Sequence, residues 1–242
     1  MHAAMHYGVN ITSINTTGSQ AEHARRQIEK FGIKNAVQMH SDFRTHLGTS
    51  AGTSAKQFDK VVSIGCLEHA GRDQLDEVIR SHADLLKPGG LGLIHFIGHV
   101  GTTETDFFIR KYVFPGGWIP SLADTIVAME RSGLEVLDIE NLRRHYALTL
   151  DAWGERFDQN WEKIRMLDPA RFDERFRRIW RLYLYGCAEM FRSPVGRTHL
   201  FQIVFSKGNV TRTSYPLGRD FLYPPAYTDK RSADVRSAGR AA

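Results

Sequence analysis

The segment from Phe58 to Gly98 restricts the fold more than any other. Val61-Val62-Ser63-Ile64-Gly65 and Leu91-Gly92-Leu93-Ile94-His95-Phe96-Ile97 are short continuous apolar runs set between turn signals. Such runs suit parallel strands covered on both faces, whereas a strand with one wet face alternates. Between them, Gln74 to Leu86 spaces Leu75, Val78, Ile79, Leu85 and Leu86 at helical intervals, and Lys87-Pro88-Gly89-Gly90 is a stop signal. The three pieces predict a strand-helix-strand crossover. Sheets built from such units bind ligands beyond the carboxyl ends of their strands. Cys66-Leu67-Glu68-His69 follows the first strand and His95-Phe96-Ile97-Gly98 closes the second. Glu68 and His95 are therefore expected to face one another across a ligand crevice.

The rest of the chain repeats this alternation. Val9 to Ile14 reads as a strand, Asn15-Thr16-Thr17-Gly18 as a turn, and Ser19 with Glu22 as a capping box. The helix it opens has Ala21, Ala24, Ile28 and Phe31 as its buried stripe and ends at Gly32. Ala36 to His40 is a third strand, closing on Ser41-Asp42-Phe43. His46 to Lys56 reads as a surface loop. It is no phosphate loop, because no strand precedes it, no apolar helix follows it and the Lys-Ser/Thr ending is missing. Thr105 to Tyr112 reads as helical, and Phe114-Pro115-Gly116-Gly117-Trp118-Ile119-Pro120 as a rigid aromatic loop. Ser121 is placed to cap a helix reaching Ser132, with Gly133 stopping it before a strand from Leu134 to Ile139. A helical block from Leu148 to about Ser193 and a strand from His199 to Ser206 complete the pattern.

With 242 residues, 42% hydrophobic and 24% charged, the chain can bury one substantial core. No apolar run approaches the roughly 18 residues of a spanning helix, and Met1 to His6 lacks the apolar stretch of a secretion signal. The expected location is cytoplasmic. Cys66 and Cys187 give neither a disulfide framework nor a zinc spacing, and no metal is expected. The formal charge of +5 misleads, because six basic and three acidic residues fall in the Pro/Ser/Arg-containing tail from Asn209 to Ala242. The remainder is close to neutral, which is no nucleic-acid footprint. Arg171, Arg175, Arg178 and Arg181 share one helix side; a solvated face is the simpler reading, and contact with an anionic membrane surface the alternative.

Alternation of strands and helices argues for an open sheet of the dinucleotide-binding type. In that topology the first strand is central and delivers a Gly-x-Gly loop onto a helix. Here Met1 to Tyr7 resembles the tail of that helix. The strands at Val9 and Val61 are then expected to carry unpaired inner edges, and unpaired buried backbone groups cost about 1–3 kcal/mol each. A stable monomer is not expected on that ground; a homodimer is one way of covering the edges.

The motifs above, with Lys111-Tyr112-Val113-Phe114-Pro115-Gly116-Gly117, His145-Tyr146-Ala147-Leu148-Thr149-Leu150 and Trp153-Gly154-Glu155-Arg156-Phe157, resemble the family of cyclopropane-fatty-acyl-phospholipid synthases and mycolic-acid methyltransferases. The resemblance covers about Tyr7 to Gly208. It implies an α/β fold: a class I methyltransferase (Rossmann-like) sheet with helices on both faces. It further implies that the first central strand and its glycine loop are lacking, and that a substrate-covering helical insertion (about 146–193) precedes the last strand. The methyltransferase domain is then 1–208, followed by an extended or disordered tail, 209–242. The implied reaction moves the methyl of S-adenosylmethionine to a double bond of an unsaturated phospholipid or fatty acyl chain, several members closing a cyclopropane, with the protein peripheral at the inner membrane surface.

By position, the resemblance puts Glu68, His95, Ile97 and Tyr146 around a bicarbonate ion beside the double bond. Asn15, Thr16 and Gln20 fall near the ribose and methionine of the cofactor, Asp42 and Phe43 near the adenine, and Ile64, Cys66 and His69 along the crevice. The chemistry agrees: ring closure needs a base for a proton of the added methyl, a carboxylate can accept the hydroxyl proton of bicarbonate, and imidazole and phenol can donate to its oxygens. Tyr112, Phe114 and Trp118 could offer aromatic faces to a cation. A family cysteine upstream of the glycine loop has no counterpart, and neither Cys66 nor Cys187 stands in its position. Two alternatives stay open: a non-catalytic remnant that binds lipid or a partner, and a small-amine methyltransferase of the same fold. Retention of Glu68, His95, Ile97 and Tyr146 favours lipid over amine.

Overall fold

The computed structural model describes residues 1–42 and 57–222. Phe43, the His46 to Lys56 segment and the tail after 222 lie outside the described residues. Two compact units are present, Met1–Gly208 and Asn209–Ala242. In the second, the described part folds into turns, with the Ser214 amide donating to Thr211 O at 3.0 Å.

The larger unit begins with helix α1 (His2–Tyr7), strand β1 (Ile11–Asn15), helix α2 (Gly18–Lys30) and strand β2 (Ala36–His40). β1 and β2 pair in parallel, Ile11 opposite Ala36. The second sheet comprises β3 (Phe58–Ile64), β4 (Leu86–His99), β5 (Leu134–Asn141) and β6 (Thr198–Lys207) in the order β3-β4-β6-β5. β3 and β4 are parallel and joined by helix α3 (Leu75–Leu85), while β6 runs antiparallel to both neighbours. Among the described residues β1 pairs only with β2 and β3 only with β4, so one edge of each strand is open.

One face of the four-stranded sheet is sealed. Val78 and Ile79 of α3 and Met129 of α4 (Leu122–Arg131) pack on Ile94, Phe96, Ile203 and Phe205, all buried. Each such side chain contributes about 1.5–3 kcal/mol. The fit explains a glycine within β4: a Cβ on Gly92 would lie 2.2 Å from the Phe205 ring. The other face is open at its edge, where Val62 and Ile64 are 64% and 66% exposed. A second cluster lies beside the strand ends, where α5 (Arg143–Gln159) and α7 (Glu174–Arg192) bury Ala147, Leu150, Leu184, Ala188 and Phe191 against Leu200. The short helix α6 (Trp161–Leu167) connects them.

Several local expectations need correction. Ser19 does not cap α2. The Asn15 side chain accepts from the Thr17 amide at 2.8 Å, which starts the turn early and makes Thr17 the cap residue. Phe31 lies beyond the helix end and is exposed rather than part of its buried stripe. Lys87-Pro88-Gly89-Gly90 ends α3 but is the start of β4, its irregularity absorbed by a register shift between Phe58 and Lys60. The segment after Thr105 does not continue as an α-helix; it widens into a π-type turn, Ile109–Val113, closed by the Phe114 amide on Ile109 O at 2.9 Å. α5 begins at Arg143, five residues before the helical block expected from Leu148, and so carries Tyr146 in its first turn.

Candidate active site

Glu68 is held by backbone geometry at the end of β3. Gly65 has φ 63°, a left-handed conformation that frees the chain to turn as its amide bonds His95 O at 2.9 Å. Leu67 then enters the core at the start of a short 3-10 turn, Leu67–His69. Glu68 Oε1 accepts from the Ile97 amide at 2.7 Å, and Glu68 O accepts from the Trp118 amide at 3.0 Å. Its other oxygen, Oε2, is buried without a partner. Burial raises the carboxyl above its ordinary value, more than the Ile97 amide, its own backbone amide and His69 lower it.

The carboxyl borders a cavity of about 240 Å³. Its walls come from Gly65 and His69 at the end of β3, Ile97 of β4, the Thr105 to Ile119 segment, the inner faces of α5 and α7, and Thr198 of β6. Tyr146 stands in it, packed edge-on against Phe191 at 4.9 Å and Trp153 at 6.1 Å. Burial raises the Tyr146 phenol, with Cys187 and Glu68 adding to the effect, so it is a donor rather than a phenolate. Phe114 meets His69 and Tyr183 edge-on at 6.3 and 6.0 Å. The surface is mainly apolar, and the isolated polar groups set into it would fix orientation.

Of the four residues placed around bicarbonate, Glu68, Ile97 and Tyr146 line the cavity and His95 does not. His95 shares the face of β4 with Ile97, but Gln202 Nε2 donates to its Nδ1 at 3.0 Å, leaving the ring proton on Nε2. Burial lowers its pKa, which favours the neutral ring. Glu68 and His95 therefore do not meet across this hollow. Ile97 takes part through its amide, which is directed to Glu68. Phe114 and Trp118 line the cavity; Tyr112 does not.

The cofactor candidates lie at the carboxyl ends of β1 and β3. Asn15 ends β1 and donates through Nδ2 to Gln20 Oε1 at 2.9 Å, while Thr16 O bonds the His40 ring at 3.2 Å. Asp42 follows β2. Ile64 ends β3, Cys66 bonds back to Ile64 O through Sγ at 3.6 Å, and His69 is exposed at the cavity edge.

Tyr183, Cys187 and Phe191 of α7 also line the cavity, although in sequence they stand only as part of a helical block. Burial, followed by Asp106, raises Cys187 to about 11 and keeps it a thiol. The Tyr183 phenol is likewise raised, first by burial and then by Tyr146 and Cys187. The one available signal was their i, i+4, i+8 spacing, which marks a buried face without saying that a cavity lies beneath it.

This strand order, with its crossover helix, is that of a class I methyltransferase fold. The same fold occurs in a putative sarcosine dimethylglycine methyltransferase from Galdieria sulphuraria, 14% identical, with TM-score 0.69 over 87% of this chain and 74% of that one. Residues 1–203 match the family model for mycolic acid cyclopropane synthetase, and the chain belongs to that family. It is 34% identical over 212 residues to a probable fatty acid methyltransferase of Pseudomonas putida, covering 85% of this chain and 51% of the relative. It is 31% identical over 208 residues to the cyclopropane-fatty-acyl-phospholipid synthase of Escherichia coli K12, covering 86% and 50%. The chain spans about half the length of these relatives. The structure of mycolic acid cyclopropane synthase CmaA1 complexed with SAH and CTAB aligns with TM-score 0.73 at 26% identity, covering 86% of this chain and 73% of that one.

Proposed function

We propose that this domain transfers the methyl of S-adenosylmethionine to the double bond of an unsaturated phospholipid or fatty acyl chain, with closure to a cyclopropane. The observation that carries this reading is Glu68 Oε2, buried without a partner beside Tyr146 in a mainly apolar cavity. Family membership supports the substrate class.

In the reaction, the alkene π electrons form the new C–C bond as the methyl–sulfur bond breaks and its electrons stay on sulfur. A carbocation results, and the ring closes when a proton leaves the added methyl. S-adenosylmethionine supplies the electrophilic methyl, and bicarbonate, when bound, supplies a base for that proton. The residues present suit such an ion. A second anion beside Glu68 is tolerated if it brings its own proton to Oε2, and the Tyr146 hydroxyl can donate to its other oxygens. His95 would hold the ion only by turning away from Gln202.

The other walls serve the cation. Phe114, Trp118 and Tyr183 present aromatic rings to the cavity, and ring faces attract positive charge. The apolar lining keeps out water, which would otherwise trap the cation as an alcohol. Asn15 and Gln20, already hydrogen-bonded at the end of β1, would meet the cofactor's hydroxyls.

The test is to incubate the protein with S-adenosylmethionine and vesicles of monounsaturated phospholipid, then analyse fatty acid methyl esters by mass spectrometry. The expected product gains one CH2 and keeps one degree of unsaturation as a ring resistant to mild hydrogenation. Methylation of small amines without any lipid product would overturn the reading.

A further inference from the structure

The stretch Phe107 to Phe114 is unusual in what it exposes. Phe107, Tyr112 and Phe114 are 63%, 37% and 42% exposed, three aromatic rings on eight residues. Between Phe107 and Pro120 the chain has two basic residues, Arg110 and Lys111, and no acidic one. Lys111 Nζ lies over the Phe107 and Tyr112 rings at 5.2 and 5.3 Å, with no carboxylate partner among the described residues. Two arginines of α7 differ: Arg177 and Arg181 are engaged with Glu174 and Asp158 at 3.7 and 3.2 Å.

The same stretch is a cavity wall. Ile109 and Phe114 line the hollow, and Phe114, both lining and exposed, marks a mouth there. The π-type turn Ile109–Val113 produces this division: Ile109 and Val113 pack toward the α5–α7 cluster while Arg110, Lys111 and Tyr112 face outward. Irregular turns of this kind tend to occur at functional sites.

We propose that the Phe107 to Phe114 turn docks on an anionic lipid surface, with Phe107 and Tyr112 entering the interface and Arg110 and Lys111 meeting headgroup phosphates, so that the mouth beside Phe114 opens onto acyl chains. The inference rests on the lipid reading of the cavity and adds where the lipid enters. Aromatic rings favour the interfacial zone, and long basic side chains lay their stems along apolar surface while their heads reach phosphate. Basic residues near an anionic surface add attraction that salt screens. An acidic carrier protein would share the charge preference but has no bilayer for exposed rings to enter.

The test uses Phe107→Ser and Lys111→Glu, both outside the cavity lining, in flotation with vesicles of phosphatidylglycerol and phosphatidylethanolamine. Turnover is measured on the same vesicles and on a short-chain unsaturated substrate in detergent. Binding is expected to fall about tenfold in Phe107→Ser. It is expected to fall about thirtyfold at low salt in Lys111→Glu, with the difference shrinking in high salt. Turnover on vesicles falls in parallel, and turnover in detergent stays within about twofold, given an unchanged thermal melt. Equal vesicle binding by wild type and both variants overturns the docking proposal. So does conversion only of chains carried on a soluble acidic protein. Loss of the catalytic reading is seen separately, as wild type that converts neither substrate; vesicle binding still decides the docking proposal in that case.

Discussion

The two sides of the site are built differently. Around Glu68 and Tyr146 the walls are packed helices, with Leu150 and Phe191 buried in the lining and Leu184 buried behind it. At the ends of β1 and β3 the candidate cofactor residues stand largely in the open: Asn15, Gln20 and His69 are partly or fully exposed, and the flanking Ile64 has little covering it. The contrast assigns the two halves different physics. The acid-holding half owes its chemistry to desolvation, which shifts Glu68, Tyr146 and Cys187 in the same direction, toward their protonated forms. The half that holds the cofactor candidates has exposed hydrogen bonds and little burial. Substitutions should therefore separate the halves by both the size and the kind of their effects.

The largest expected difference is in stability. Phe191→Ala should destabilise the domain by about 3–5 kcal/mol, because it empties a packed site behind Tyr146. Val62→Ala, on the open sheet face, should stay within about 0.5 kcal/mol. Urea denaturation measures both, and similar losses would erase the contrast. Next, Tyr146→Phe removes one donor from the cavity without changing its shape. Turnover should drop about tenfold, the worth of one hydrogen bond near 1.4 kcal/mol, while calorimetry shows S-adenosylhomocysteine binding unchanged.

Asn15→Ala acts on the other half. It breaks the turn to Thr17 and the bond to Gln20. Cofactor affinity should fall a few-fold and stability by about 0.5–1 kcal/mol, with product composition unaltered.

The smallest effect is on the pH profile. Because Glu68 has a raised value in the fold, the folded state binds more protons than the unfolded one above the ordinary carboxylate value of 4.5. Its contribution to stability is present at lower pH, is lost as pH rises through the raised value, and is level beyond. Glu68→Gln should remove that slope from a series of thermal melts.

Much of the sheet was legible because strands need short apolar runs between turn signals, although β3 is not covered on both faces as expected: Val62 and Ile64 are exposed. Ala36–His40 has the expected bounds, and Ser121 caps α4 as expected by accepting from the Asp124 amide at 3.0 Å. Misreadings arose where a side chain or a neighbouring strand overrode local pattern. Asn15 pre-empts the Ser19 cap, and pairing with β3 draws Pro88-Gly89-Gly90 into β4. That Glu68 and Tyr146 border one hollow was recoverable from motifs. The position of His95 was not, because its ring is set by Gln202 on the neighbouring strand β6, far away in sequence. Tyr183 and Cys187 were equally hidden, since a helical stripe looks the same whether it faces a core or a cavity.

The most direct test compares wild type and Glu68→Gln in paired measurements: calorimetric titration with S-adenosylhomocysteine, and mass spectrometry of the lipid product. If Glu68 acts by accepting the hydroxyl hydrogen bond of the ion in the cavity, the variant binds the cofactor product within about twofold of wild type and loses ring formation by at least about a hundredfold. A parallel fall in both, or a variant that still closes the ring at the wild-type rate, would contradict that role.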